Sequence, residues 1–310
     1  MRRLLPEPAR IGATAALVAW ALLAPASAVA ATSVSDNWSG YAIHGTGVEF
    51  KQASGSWRQP AATCTQGDRT YSAFWVGIGG YSLTSQALEQ IGTELDCKVN
   101  GDEQLAAWYE LVPAPSRTIR MTVHPGDLMS ASVAIAGSKV TLTLRDRTTH
   151  KRFRRTITDH TIDQSSAEWI AEAPSECTSS TRCRTLPLTD FGSMDFSGAQ
   201  ARTTAGSSSG ISNRRWTASK IVLNAAGNGP AFVSYGGDPA RQLAKATPSV
   251  LEDGGKEFAV LFSQSSTSPP TGTGGYPAGY GGGYPGASSY RTASVDGHQR
   301  LVQGVRAGTG

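Results

Sequence analysis

Residues 119–145 read IRMTVHPGDLMSASVAIAGSKVTLTLR, and their alternation decides the fold class. Ile119, Met121 and Val123 stand against Arg120, Thr122 and His124, and Met129, Ala131, Val133 and Ile135 against Ser130, Ser132 and Ala134. Val140, Leu142 and Leu144 repeat the pattern against Thr141, Thr143 and Arg145. Successive side chains of an extended chain point to opposite sides, so a period of two gives one apolar and one polar face. Working outward, further strands are expected over 73–78, 105–111, 153–158, 168–171, 221–223, 232–235 and 258–262, with Gly, Pro, Asn and Asp between them. Only residues 239–251 could hold one short helix. Many short strands separated by turns predict an all-β fold, an antiparallel β-sandwich.

The chain has 310 residues, 39% of them hydrophobic and 17% charged, enough for a sizeable core. Its formal net charge is +4, and the first thirty residues, with Arg2, Arg3 and Arg10 against Glu7, account for +2 of it. Such balance argues against a nucleic-acid partner, which would call for a strongly basic patch. Those thirty residues read as a secretory signal: basic residues, the apolar run 11–23, then small residues ending Ala28-Val29-Ala30. Pro25 interrupts a run already short of the ~20 apolar residues a membrane span needs, so no membrane association is expected after cleavage. The expected organisation is a signal over 1–30, a sandwich domain over 31–262, and a tail over 263–310. That tail is rich in Gly, Pro and Ser, with Tyr276, Tyr280 and Tyr284 among them, and should be flexible. The protein is expected outside the cell, as a monomer.

Export favours disulfides over metal for Cys64, Cys97, Cys177 and Cys183. Cys177 and Cys183 flank a short polar loop that one bridge would close, leaving Cys64 for Cys97. The alternative, a four-thiolate zinc site, lacks any C-x-x-C pair. Other signatures also fail. The five histidines form no H-E-x-x-H, and the Gly-rich tail contains no phosphate-binding loop, so no metal or cofactor is expected. The G-x-S-x-G string at 206–210 follows Ala-Arg-Thr-Thr-Ala rather than an apolar strand, which makes it a Ser/Gly loop instead of a nucleophile elbow.

What remains is carboxylate and amide chemistry on strands. Aromatic and acidic residues concentrate in 73–80, 88–94, 106–111 and 167–172. Strand parity groups Trp75 with Gly77 and Gly79, Trp108 with Glu110, and Gln90 with Glu94. A face carrying Trp, Gln and Glu suits a groove; the competing reading is Trp residues capping a core beside solvated acids.

Asn37-Trp38-Ser39-Gly40-Tyr41, Trp75-Val76-Gly77-Ile78, Gln90-Ile91-Gly92, Ala107-Trp108-Tyr109-Glu110 and Ala167-Glu168-Trp169-Ile170 follow one another as in the glutamic endopeptidases, or eqolisins. The resemblance spans about residues 36–262. It implies two large antiparallel sheets with concanavalin A-like architecture, a Glu/Gln catalytic dyad, and polypeptide substrates. By motif the dyad corresponds to Glu168 and Gln90. Trp75, Trp108 and Glu110 are then candidates for the groove floor, and Glu94 for holding the Gln90 amide. Glu89 points to the other face and receives no role; Glu172 reads as a solvated strand end. Fungal members carry aspartates where this chain has Gly79 and Ala106, so the acidic support of the dyad is thinner here. The implied preference for acid requires the Glu168 pKa to stay low.

Two rivals use the same kind of sandwich: a glycosidase, and a non-catalytic carbohydrate-binding module supported by the Trp face and the Tyr-rich tail. A glycosidase needs carboxyl groups about 5–9.5 Å apart. Glu168 and Glu172 would lie about 13 Å apart along a strand, so only a cross-strand pair such as Glu110 and Glu168 could serve.

Overall fold

A computed structural model of the chain describes residues 31–82, 84–179, 182–224 and 244–263. Among them are eighteen β-strands, one 3-10 turn at Asp253–Gly255, and no α-helix. Sixteen strands belong to one continuous sheet. Its back layer runs β10 (Lys151–Thr158), β9 (Lys139–Asp146), β8 (Leu128–Ala136), β3 (Phe50–Arg58), β14 (Ser193–Thr203) and β18 (Phe258–Phe262). Through β17 (Ala244–Pro248) the sheet turns into a front layer of β16 (Thr217–Asn224), β2 (Trp38–His44), β11 (Ser166–Glu172), β4 (Ala73–Gly79), β5 (Leu88–Cys97), β6 (Glu103–Val112) and β7 (Arg117–Ile119). β1 (Ala31–Ser35) pairs in parallel with β16, and β15 (Ser208–Ser209) pairs with β14. Every other pairing is antiparallel. β12 (Ser175–Ser179) and β13 (Arg182–Thr185) form a separate hairpin. The expected sandwich is therefore present, its two layers being halves of one sheet folded over.

The main core fills the space between the layers. Met129, Val133, Leu142 and Leu144 from the back meet Phe74, Val76, Ile91 and Trp169 from the front. Burying such side chains stabilises by roughly 1.5–3 kcal/mol each, which is why alternation suffices to hold β8 and β9 in place. Two indoles stitch the layers. Trp169 Nε1 donates to the Ser54 carbonyl at 2.8 Å, and Trp57 Nε1 to Thr93 Oγ1 at 3.2 Å. Among the described residues, no helix is long and apolar enough to cross a membrane.

Three expectations change. The stretch expected to permit a helix contains β17 instead, where Ala246 and Pro248 alternate inward in the sheet. The alternation at 119–123 keeps its burial pattern, but the strand ends at Ile119. The Ser/Gly loop includes the two-residue β15. The strand expected at 232–235, the signal and residues 264–310 of the tail lie outside the described residues. Cys64 and Cys97 are disulfide-bonded, tying the segment before β4 to the end of β5. Cys177 and Cys183 are backbone partners across the β12–β13 hairpin, and their side chains lie outside the described residues.

Candidate active site

In β8 and β9 inward and outward residues alternate in burial, whereas β4 and β11 are buried throughout their length. The front layer is thus covered on its outer face as well. A second apolar cluster lies there, including Trp38, Trp75, Leu88, Trp108, Ile170 and Ile221.

Residues opposite one another on neighbouring strands share a face, so pairing register identifies what meets on this one. Ser219, Ala42, Glu168, Gly77, Gln90 and Glu110 are successive partners across β16, β2, β11, β4, β5 and β6. Glu168 and Gln90 are separated only by β4, about 10 Å at two strand spacings. The residue between them is Gly77, which contributes no side chain. A Cβ at Gly77 would sit 2.8 Å from Trp75 Cζ3 and 3.0 Å from Leu88 Cδ1, so Trp75 and Leu88 close in over the gap.

Glu168 and Gln90 are both 0% exposed. Neither Glu168 oxygen nor Gln90 Oε1 has a hydrogen-bond partner among the described residues. Buried polar atoms are seldom left unpaired, and these three lie on one row of the sheet, where a bound water or ligand would satisfy them. Burial holds the Glu168 carboxyl well above the ordinary carboxylate range, and the negative charges of Asp163 and Glu89 add to it, while the Ser166 hydroxyl opposes the shift. This reverses the low pKa expected from sequence.

Gln90 Nε2 donates to Glu110 Oε2 at 2.7 Å. An amide NH₂ has two donors, so one N–H fixes the side chain and the other remains available. The holding role expected of Glu94 falls to Glu110: Glu94 is on the same face of β5 but four residues along, about 13 Å away at strand rise. Trp75 Nε1 donates to Glu172 Oε2 at 2.7 Å, and Asn37 Nδ2 to Glu172 Oε1 at 3.3 Å. Glu172 is accordingly a buried anchor and not a solvated strand end. Trp38 packs edge-on against Trp75 at 5.0 Å, and Trp108 occupies the same layer of the face beyond Gly92.

Gly79 has φ +87°, and a Cβ there would lie 2.7 Å from the Asp163 carbonyl and 2.9 Å from that of Ala87. An aspartate does not fit this backbone. Asp163 itself supplies an acid nearby, held by Ser85 Oγ and the Ser165 N–H. The cross-strand carboxyl pair a glycosidase would require is absent from this row: two strands separate Glu110 from Glu168, about 14 Å at three spacings.

The family model described as "Peptidase A4 family" matches residues 36–226. A search of curated proteins found no match. Among solved structures, this chain is similar to scytalido-glutamic peptidase with a transition state analog inhibitor, with TM-score 0.58 and 21% identity over 74% of this chain and 98% of that one. It is also similar to SCP-B, a member of the eqolisin family of peptidases in complex with the tripeptide Ala-Ile-His, with TM-score 0.55 and 20% identity over the same shares. Both likenesses bear on the fold, a folded-over sheet like the one described above. By the family match, which spans more than half of its length, the chain belongs to the peptidase A4 family, that of the glutamic endopeptidases.

Proposed function

We propose that this protein is a secreted endopeptidase in which Glu168 and Gln90 form the catalytic dyad and polypeptides are the substrates. The observation that carries this reading is the row Glu168–Gly77–Gln90–Glu110, with its unpartnered buried oxygens on either side of a residue without a side chain. Secretion is supported by the signal-like first thirty residues and is compatible with the Cys64–Cys97 disulfide.

A water between the two groups can give a proton to the Glu168 carboxylate as its oxygen attacks the scissile carbonyl carbon. Gln90 Oε1 accepts the water's other hydrogen bond. The carbonyl π electrons move onto oxygen, and the free Nε2–H of Gln90 donates to that oxyanion. Collapse breaks the C–N bond, and Glu168 returns its proton to the departing nitrogen. Glu110 acts through Gln90 as a positioning residue, and Glu172 does the same through Trp75. Substrate binding has to uncover the row, which is shielded from solvent in the free chain.

The raised Glu168 pKa moves the working range upward. The base form becomes populated only above the ordinary carboxylate range, so kcat/KM is expected to climb with pH in weakly acidic rather than strongly acidic medium. The test is casein digestion across pH by wild type and Glu168→Gln, with a chelator present throughout. Glu168→Gln should fold and lose roughly four orders of magnitude in rate, the upper end of what a general acid–base contributes. Undiminished proteolysis by the folded variant would overturn the assignment.

A further inference from the structure

We propose that a basic cleft at the seam of the sandwich docks acidic, extended segments of polypeptide substrates, an assignment that rests on the peptidase reading above. The sheet ends in β10 on one side and β7 on the other, and neither strand pairs with a second neighbour among the described residues. Between these ends opens a cleft of about 940 Å³. Arg117 and Arg120 line it from the front layer, and Lys151, Arg152 and Arg155 from β10; no Asp or Glu lines it. All five cations are exposed, and none has a carboxylate within 4.0 Å among the described residues. In a chain with net charge +4, that is a strong local asymmetry.

The floor is aromatic. Tyr109 and Phe153 stack across the seam at 5.6 Å, and the Arg155 guanidinium lies 5.7 Å from the Tyr109 ring centroid. Lys and Arg on an edge strand commonly serve to repel other edges. That accounts for the charges on β10 and for Arg117 on β7, the other edge strand, but not for the gathering of five cations from both edges around one cleft, nor for the ring pair beneath. The open backbone edge of β10 can accept an extended peptide as an added strand, and Arg forks match carboxylates in two-point contact. Arg117 is the β7 partner of Tyr109, which belongs to the main core and points to the opposite face of β6 from Glu110. The cleft therefore lies about two strand spacings along from Gln90 but on the other face of the front layer, and a chain held over the row reaches it around the β7 edge.

The first measurement is fluorescence anisotropy of a labelled 15-residue Glu-rich peptide and its all-Gln counterpart with the Glu168→Gln protein, at pH 6 and low salt. The Glu peptide should bind at least tenfold more tightly. That preference should collapse in 0.5 M NaCl, in an Arg117→Gln, Arg120→Gln, Arg155→Gln variant, and below about pH 4 as the ligand carboxylates protonate. The second is the ratio of kcat/KM on one cleavable sequence flanked by Glu or by Gln, expected to fall about tenfold in the triple variant and to recover in the Arg→Lys version. Equal binding of the two peptides, or a ratio indifferent to the triple variant, overturns the proposal. A phosphoserine peptide that outbinds the Glu peptide at every pH reassigns the cleft to phosphate-bearing chains and overturns it too. Because binding is read without cleavage, its failure is distinct from failure of the dyad, which appears as proteolysis by Glu168→Gln.

Discussion

Two neighbouring residues of β5 face opposite ways and live in opposite chemistry. Gln90, on the outer face, is held by Glu110 and stands one strand from Glu168. Glu89, on the inner face, occupies the row Ile43–Ala167–Ile78–Glu89–Leu111 inside the main core, with both carboxyl oxygens unpartnered among the described residues. Burial, with the nearby charges of Asp159 and Asp163, pushes its pKa up to about 9. A buried polar group on the outer face is placed for chemistry; one on the inner face sets the conditions under which the scaffold holds. Single substitutions should therefore separate the two faces by readout.

The largest effect expected along β5 is on the outer face. Gln90→Ala removes the proposed oxyanion donor and should lower kcat by about 10²–10³, or 3–4 kcal/mol, with the thermal midpoint nearly unchanged. A loss of melting temperature in proportion to activity would erase the distinction. The inner face comes next. A folded pKa above the unfolded 4.5 means that Glu89 favours folding while protonated, so stability is full below about 4.5 and declines as pH rises toward 9. At about 1.4 kcal/mol per unit, the loss at pH 7 is about 3 kcal/mol. Glu89→Gln should recover much of it in denaturant titrations at pH 7 and gain nothing at pH 4. An equal shift at both pH values would break the assignment. Smallest is Glu110→Gln, which keeps the size of the partner but weakens a charge-assisted hydrogen bond; a fall of roughly tenfold in kcat, with KM little changed, would place Glu110 behind Gln90 rather than in contact with substrate.

Parity along single strands was legible in the sequence because it needs only a period of two: Gln90 and Glu89 separate on that ground alone, and so do Trp108 and Tyr109. Register between strands was not. Asn100-Gly101 signals the β5–β6 hairpin, but a two-residue turn there would pair Gln90 with Leu111. The actual loop closes with the Lys98 N–H on the Asp102 carbonyl and shifts the pairing by one, to Glu110. That single residue decides whether the amide has a carboxylate beside it, whereas parity along β5 alone points to Glu94. The pKa direction of Glu168 was hidden for a different reason. It depends on cover over the outer face, and the apolar residues supplying that cover come from β2, β4, β5, β6, β11 and β16 together.

Trp169 follows Glu168 directly and reaches through the core to the Ser54 carbonyl, and a methyl group added at Gly55 would come within 2.9 Å of its Cδ1. β11 is thus moored to the opposite wall of the molecule by the side chain that follows Glu168. For anyone tuning this enzyme by laboratory evolution, a library confined to the Glu168–Gln90 row would miss a handle: small changes at Gly55, on the opposite layer, press on the mooring and shift the position of Glu168.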